Sequence, residues 1–241
     1  MRRGTLILDF DSTIVSVEAL DELARMVLGQ SSARDDTIDR IERLTRAGMD
    51  GSISIEESLA QRMALLSFTR ESIPPLVDHL RNCLTPSFRR HRETIALLAP
   101  RIHVVSGGFI EWVAPVCQSL GILSSNCHAN RLRFDGVGRC TGIDPMSTLA
   151  RAGGKPDTIR RLRSDRSLYA PLVLVGDGAT DLEAKQAGAV EAFVAYVEHA
   201  NRPAVAAGAD AVASTFDEVL STWARLSGDS AWGHFGTPGG D

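Results

Sequence analysis

Residues 6–14 read Leu-Ile-Leu-Asp-Phe-Asp-Ser-Thr-Ile, an apolar run that stops abruptly at two carboxylates. Three successive apolar residues are typical of a central strand in a parallel sheet, which is covered on both faces. Because Asp is a poor strand former, Asp9 and Asp11 are expected at the carboxyl end of this strand, where open α/β sheets bind ligands. Their mutual repulsion favours a bound cation. The alternative is an Asp-Ser-Thr cap that opens the next helix.

Further apolar runs in the chain have the same form, because most end in small or acidic residues and lead into helical patterns. The predicted strands lie at 102–105, 172–175, 192–195 and 211–213. Residues 126–139 are predicted to form a β-hairpin, and Thr85-Pro86 is predicted to open a helix that continues to Leu98. Strands that alternate with helices indicate an α/β fold with a doubly wound parallel sheet.

A long helical insertion follows the first strand and contains no convincing strand pattern. Its predicted helices lie at 18–28, 37–47, 54–66 and 70–83. A crossover between parallel strands needs only about a dozen residues. We therefore interpret residues 15–83 as a small helical cap domain inserted into a core formed by residues 1–14 and 84–226. The glycine-rich residues 227–241 are expected to form a flexible tail.

Composition narrows the possible partners and location of the chain, which has 241 residues and a formal net charge of −4. Its longest basic cluster is residues 160–163, which argues against nucleic-acid binding. No apolar run approaches the roughly 18 residues of a membrane span. The first strand starts within a few residues of Met1, which leaves no room for a signal peptide, and the four cysteines form no Cys-x-x-Cys pair. We expect a cytoplasmic monomer or homodimer that binds neither membrane nor nucleic acid.

Polar clusters occur in a fixed order on the turns that follow the strands or precede the helices. They are Asp9, Asp11 and Thr13, then Ser106, then Lys155, then Asp177 and Asp181. Singly, each has a structural alternative as a helix cap, a surface residue or a plain turn. Together they resemble the four motifs of the haloacid dehalogenase superfamily of phosphatases: DxDxT, a Ser or Thr, a Lys, and GDGxxD. The resemblance extends to about Leu226 and implies a Rossmann-like core with an inserted cap.

This resemblance implies a two-step phosphoryl transfer. Asp9 is expected to act as the nucleophile and to form an aspartyl-phosphate. Asp11 is expected to protonate the leaving alkoxide and then to accept a proton from the attacking water. Ser106, with the backbone amides of Gly107 and Gly108, is expected to bind the phosphate at a helix N-terminus.

The resemblance also implies a magnesium site, since Mg²⁺ prefers hard oxygen ligands. Its expected ligands are Asp9, Asp177 and the backbone carbonyl of Asp11. Asp181 is expected to orient those ligands without contacting the ion. Lys155 is expected to neutralise phosphate charge and to screen the carboxylates.

Residues outside the four motifs resemble the phosphoserine phosphatase family, which acts in the last step of serine synthesis. These residues lie at 18–24, 45–49, 58–66 and 129–132. Phosphoserine carries an ammonium and a carboxylate besides its phosphate, so a specific pocket needs one acid and one bidentate base. Glu18 is expected to bind the ammonium and Arg62 the carboxylate. The resemblance also places Met49 and Thr180 in the pocket.

The sequence departs from that family at three places. Asp50 replaces a common glycine, Ile55 stands at a position that is usually aromatic, and residues 195–199 replace a glycine-rich turn. These departures concern specificity for the substrate rather than the chemistry.

Three other functions share part of this sequence pattern. A phosphatase or phosphotransferase for another small phosphorylated metabolite, such as phosphohomoserine, would share the fold and the four motifs. A binding or regulatory protein without turnover would not need the four residues that remain intact, Asp9, Asp11, Lys155 and Asp177. A dinucleotide-binding module is disfavoured because no GxGxxG follows the first strand.

Overall fold

The computed structural model describes residues 4–28 and 32–228, without the side chains of residues 32 and 33. Its strands, in chain order, are β1 (Thr5–Leu8), β2 (Ile102–Phe109), β3 (Cys127–Asn130), β4 (Leu132–Phe134), β5 (Cys140–Ile143), β6 (Leu172–Gly176), β7 (Ala192–Tyr196) and β8 (Ala211–Ala213). Six of them form one sheet in the order β3-β2-β1-β6-β7-β8, and every neighbouring pair in it is parallel. The predicted α/β fold with a doubly wound parallel sheet is confirmed.

The first strand is central in this sheet, as its apolar sequence predicts. Leu6 pairs with Ile102 of β2 on one side and with Val173 of β6 on the other. All residues of β1 and β6 are buried, since helices cover both faces of the sheet. The order of strands reverses at β1, so the loops after β1, β2 and β6 surround one crevice at the carboxyl edge.

Helices occupy much of the chain between these strands. They are α1 (Ala19–Val27), α2 (Ser32–Met49), α3 (Ile55–Ala64), α4 (Ile73–Asn82), α5 (Pro86–Arg90), α6 (Arg92–Leu98), α7 (Ile110–Ser119), α8 (Gly154–Ser164), α9 (Ala179–Gln186), α10 (Pro203–Ala207) and α11 (Phe216–Ser227). The four helices predicted between the first two strands are present as α1 to α4. Helix α2 packs against α3, and α4 packs against both α1 and α7.

Two local predictions were wrong. Residues 126–139 do not form one hairpin, because β3 joins the parallel sheet beside β2, and the antiparallel hairpin is formed by β4 and β5. The helix predicted at 85–98 is broken at His91 into α5 and α6. Thr85 caps no helix with its side chain, because its Oγ1 donates to the carbonyl oxygen of Thr13 at 2.6 Å.

One other expectation lies mostly outside the described residues. Of the predicted flexible tail, 227–241, residues 229–241 are not described. Within residues 4–28 and 32–228, no helix is long and apolar enough to cross a bilayer.

Candidate active site

The end of β1 positions Asp9 and Asp11 through a tight turn over Phe10–Ile14. The amide of Val15 donates to the Phe10 carbonyl at 3.1 Å, and Ser12 adopts a left-handed conformation with φ 52°. Asp11 keeps an extended backbone, and its Oδ1 accepts a hydrogen bond from the Ala19 amide at 2.8 Å. One carboxylate oxygen of Asp11 is thereby fixed by the first residue of α1, which leaves Oδ2 for chemistry.

Lys155 joins the first motif to the last. Gly154 and Lys155 begin α8, so the ammonium projects from the first turn of that helix. Its Nζ lies 3.1 Å from Asp9 Oδ2 and 2.6 Å from Asp181 Oδ1, and the side chain is buried. Burial alone would lower the pKa of Lys155, but the carboxylates of Asp181 and Asp9 outweigh it and raise that pKa. Lys155 is therefore a fixed positive charge within the acidic cluster.

Three buried carboxylates meet at the ends of β1 and β6. Oxygen atoms of Asp9, Asp177 and Asp181 all lie within 4.8 Å of one another. Asp181 uses both of its oxygens, because Oδ1 contacts Lys155 and Oδ2 accepts from the Gly178 amide at 3.1 Å. Converging hard oxygens at this spacing fit a divalent metal ion of the kind that phosphatases use.

Ser106 and two glycines form the neighbouring wall at the end of β2. The Gly108 amide donates to Ser106 Oγ at 2.9 Å, which leaves the Ser106 hydroxyl hydrogen available to a ligand. Asn130 of β3 donates to the Gly107 carbonyl at 2.8 Å and fixes this turn. A Cβ on Gly108 would lie 3.2 Å from both Asp11 Oδ2 and Ser106 Oγ, so a larger residue would crowd both groups.

Glu18 lies opposite Asp11 and does not cap α1 with its side chain. Its Oε1 accepts a hydrogen bond from Ser12 Oγ at 2.7 Å. Burial raises the pKa of Glu18, while burial and then the charge of Glu18 raise the pKa of Asp11 well above its ordinary value. The two acids therefore favour either a proton on Asp11 or a cationic group between them.

Arg62 is buried at 6% exposure, so it is not a solvated residue on the surface of α3. Its Nη1 donates to Thr45 Oγ1 at 3.0 Å and lies 3.7 Å from Asp21 Oδ1. Thr45 in turn donates to Asp21 Oδ1 at 2.7 Å. The Nε of Arg62 is buried without a hydrogen-bond partner. Helices α1, α2 and α3 thus hold a guanidinium that still has a donor to offer.

The predicted residues converge, since nine of the twelve line a single pocket. These nine are Asp9, Asp11, Glu18, Met49, Arg62, Gly107, Gly108, Lys155 and Thr180. The other three contact that lining, because Ser106 binds Gly108, Asp181 binds Lys155, and Asp177 lies within 4.8 Å of Asp9. The same lining thus brings the acid Glu18 and the base Arg62 together with Asp9, Asp11 and Lys155.

Sequence reasoning missed Arg202, which also reaches the acidic cluster. Its Nη1 forms an ion pair with Asp177 Oδ2, and its Nε lies 3.5 Å from Asp50 Oδ1. An arginine before Pro203 in an otherwise ordinary loop gives no local signal of this role. Asp50, noted as a departure from the family, thus contacts an active-site arginine, and Ile55 lines the pocket.

Comparison with known proteins agrees with the geometry. The matching family model is that of the haloacid dehalogenase-like hydrolases, over residues 6–186. The chain is 32% identical to the phosphoserine phosphatase of Bos taurus over 88% of this chain and 89% of that protein. A phosphoserine phosphohydrolase-like protein of Francisella tularensis superposes with a TM-score of 0.80 and 28% identity, covering 91% of this chain and 99% of that one.

A phospho-aspartyl intermediate analogue of a phosphoserine phosphatase superposes with a TM-score of 0.74 and 25% identity, over 92% of this chain and 99% of that one. The resemblance inferred from the motifs is therefore confirmed over nearly the whole chain. The chain belongs to the haloacid dehalogenase-like hydrolases and, within them, to the phosphoserine phosphatase family.

Proposed function

We propose that the protein hydrolyses O-phospho-L-serine to L-serine and phosphate, the last step of serine synthesis, through an aspartyl-phosphate. One observation carries this proposal: a partly buried acid, Glu18, and a buried base, Arg62, line the same pocket as Asp9, Asp11 and Lys155. A zwitterionic amino acid needs both charges, whereas a generic phosphate ester needs neither. The names of the similar proteins support the same substrate.

The chain's own residues supply the covalent steps. The Asp9 carboxylate attacks phosphorus, the bond from phosphorus to the ester oxygen breaks, and Asp11 gives its proton to the departing seryl oxygen. Burial raises the pKa of Asp11, which keeps that proton available. Asp11 then takes a proton from the water that attacks the aspartyl-phosphate, which returns Asp9 as a carboxylate and releases phosphate.

Other groups hold the phosphoryl oxygens during these steps. The Ser106 hydroxyl, the Gly107 amide and the Lys155 ammonium donate to them, whereas the Gly108 amide, which was expected to do so, donates to Ser106 Oγ. Lys155 also lies 3.1 Å from Asp9 Oδ2. The same ammonium therefore binds the phosphate and aligns the Asp9 nucleophile with it. This is electrostatic stabilisation by preorganised donors in a buried site.

The metal is proposed to be Mg²⁺. Asp9, Asp177 and the backbone carbonyl of Asp11 would hold it, and Asp181 would orient these ligands. When bound, Mg²⁺ would neutralise charge on the phosphoryl group. The three buried carboxylates within 4.8 Å of one another support this assignment.

Residues 15–83 are proposed to act as a cap domain on a core formed by 1–14 and 84–226. Glu18, Met49 and Arg62 belong to the cap, so it supplies specificity, while the core supplies the chemistry. Thr180 faces the same pocket from the core. A cytoplasmic location and a monomer or homodimer remain predictions.

The first test is phosphate release from L-phosphoserine and from a panel of other small monoesters, with Mg²⁺ and then with chelator. Strong, metal-dependent preference for L-phosphoserine is expected. Release from phosphohomoserine or other esters but not phosphoserine would keep the chemistry and reject the substrate. No release from any ester would favour the binding-protein alternative.

Variants separate chemistry from specificity. Asp9→Asn should abolish turnover of every ester while the protein stays folded, and substantial remaining activity would reject Asp9 as nucleophile. Glu18→Ala and Arg62→Ala should weaken use of phosphoserine far more than hydrolysis of an aryl phosphate. Equal losses on both substrates would contradict their assignment to the amino-acid end.

A further inference from the structure

Trp112 is a residue of the pocket that neither the motifs nor the proposed chemistry uses. It lies in the first turn of α7, lines the pocket, and is 1% exposed. Its indole Nε1 is buried without a hydrogen-bond partner. A buried tryptophan N–H usually finds an acceptor, and leaving it without one costs free energy.

The position of this N–H is fixed by its neighbours. The Trp112 ring packs edge-to-face against Phe109, with centroids 5.0 Å apart. A Cβ on Gly108 would lie 3.5 Å from Trp112 Nε1 and 3.2 Å from Asp11 Oδ2. The absence of a side chain at Gly108 therefore leaves a niche in the pocket wall, bordered by this donor and by the acid that serves the leaving group.

A second donor in the same pocket, Arg62 Nε, is also buried without a hydrogen-bond partner. Among the described residues that line this pocket, the buried side-chain atoms that lack a partner are Arg62 Nε and Trp112 Nε1. Both are donors, so the missing partner is an acceptor. A carboxylate offers two acceptor oxygens, one for each of these donors.

We propose that Trp112 is a substrate-binding residue whose indole N–H donates a hydrogen bond to the substrate carboxylate, beside Arg62. This inference rests on the proposed function, because phosphoserine is the ester that brings a carboxylate to the leaving-group side. The phosphate end already has Ser106 and Lys155 as donors, which leaves the Trp112 N–H for the amino-acid end.

The test compares two esters that differ in the carboxylate alone. O-Phosphoethanolamine keeps the phosphate, the ester oxygen and the ammonium of phosphoserine but lacks its carboxylate. Trp112→Phe keeps an aromatic ring and removes the N–H. It should lower kcat/KM for L-phosphoserine by about 10- to 100-fold, mainly through KM, as expected for a hydrogen bond to a charged group. It should leave kcat/KM for O-phosphoethanolamine unchanged.

Two further variants guard this result. Trp112→Leu, which also lacks a donor, should show the same selective loss even if its fold is somewhat less stable. Trp223→Phe removes another buried indole N–H that lacks a partner, in α11 and outside the pocket lining. Trp223→Phe should not change kcat/KM for either ester. Ki for the product L-serine should rise in Trp112→Phe, whereas Ki for ethanolamine should not.

The outcomes separate this inference from the proposed function. If the wild-type protein shows no preference for phosphoserine over phosphoethanolamine, the proposed function fails. If the wild type discriminates and Trp112→Phe discriminates as strongly, the function stands and the Trp112 inference is overturned. Equal losses on both esters would also overturn it, because the N–H would then serve Asp11 or the fold rather than the carboxylate.

Discussion

Arg62 depends on two buried neighbours for its orientation. Its guanidinium donates to Thr45 Oγ1 at 3.0 Å and lies 3.7 Å from Asp21 Oδ1. A long side chain without such contacts would sample several rotamers, and ordering it would cost entropy at each binding event. If Arg62 binds the substrate carboxylate as proposed, the Asp21–Thr45 pair preorganises its charge for that contact.

Thr45→Val tests this at the scale of one residue, because it replaces the hydroxyl by a methyl of similar size. It should raise KM for L-phosphoserine by about tenfold, the equivalent of one hydrogen bond of about 1.5 kcal/mol. Turnover of O-phosphoethanolamine should not change, since that ester has no carboxylate for Arg62. Steady-state kinetics on both esters provides the measurement, and a parallel loss on both would indicate a merely structural role for Thr45.

Single residues also mark the limit of prediction from the sequence. Asp9, Lys155 and Asp177 could be identified because each follows a strand or opens a helix in a recognisable local pattern. Arg202 could not, because it reaches Asp177 from a loop in a distant segment of the chain. Trp112 lies four residues after Gly108, but its buried indole N–H without a partner could be recognised only in the structure.

At the scale of an element, the start of α8 is defined by a close backbone approach. A Cβ on Gly154 would lie 2.1 Å from the Thr148 carbonyl oxygen, a backbone atom that cannot turn aside as a flexible side chain can. Lys155 is the next residue, so any shift of the helix start also moves its ammonium away from Asp9 and Asp181. We therefore expect stability and catalysis to depend on the same packing.

Gly154→Ala should therefore destabilise the protein by about 1–3 kcal/mol, as overpacking does, and lower kcat for every ester. Urea denaturation and phosphate release measure the two effects. Gly136→Ala is a matched control, because a Cβ at Gly136 would have no heavy atom within 4 Å. A stable, fully active Gly154→Ala variant would contradict the close approach.

The β2–β3 pair carries two stacked histidines on adjacent strands. His103 Nδ1 lies 3.3 Å from His128 Nε2, and the rings are nearly parallel, at 5°. Burial and then the neighbouring His128 lower the pKa of His103 to about 4, and burial and then the Arg161 charge lower the pKa of His128 to about 4. The folded pair therefore stays neutral at pH values where unfolded histidines already bind protons.

When the pKa of a histidine is lower in the folded than in the unfolded state, the unfolded chain binds more protons at acidic pH. The free energy of unfolding therefore decreases as the pH falls. The contribution of this pair should be complete above about pH 6.5 and lost as pH falls towards about 4. His128→Gln should flatten that part of the stability profile, measured by urea midpoints between pH 7 and pH 4. His199→Gln, at an exposed histidine, is the control and should leave the slope unchanged. If the stability of His128→Gln changes with pH as steeply as that of the wild type, the histidine pair is not the source of this pH dependence.

The elements themselves were predictable where the signal is local. The apolar runs of β1 and β6, and the helices α1 to α4, follow from periodicity within the segment. The hairpin at 126–139 was misplaced because β3 pairs with β2, a partner about 25 residues earlier whose register no local pattern specifies. The hydrogen bond from the Thr85 hydroxyl to the Thr13 carbonyl is likewise a contact between distant segments.

At the scale of the whole molecule, the parts of the helical segment 15–83 differ in how firmly they are packed against the rest of the chain. Its last part is tied to the remainder of the chain, because α4 packs against α7 and the Cys140 amide donates to the Phe68 carbonyl at 2.9 Å. The Arg70 amide also donates to the Gly138 carbonyl at 2.8 Å. By contrast, α2 and α3 pack mainly on each other and carry Met49 and Arg62 into the pocket wall.

Substrate bound in the pocket should therefore reduce the motion of α2 and α3 more than that of α4. Hydrogen exchange of Asp9→Asn, which should bind L-phosphoserine without turning it over, tests this with and without the ester. Amides of α2 and α3 should exchange more slowly with ligand, while those of α4, already packed against α7, should change little. O-Phosphoethanolamine, which offers Arg62 no carboxylate, should protect α3 less than phosphoserine does. Equal protection of all four helices would mean that the segment moves as one body. Greater protection of α4 than of α2 and α3 would contradict the prediction.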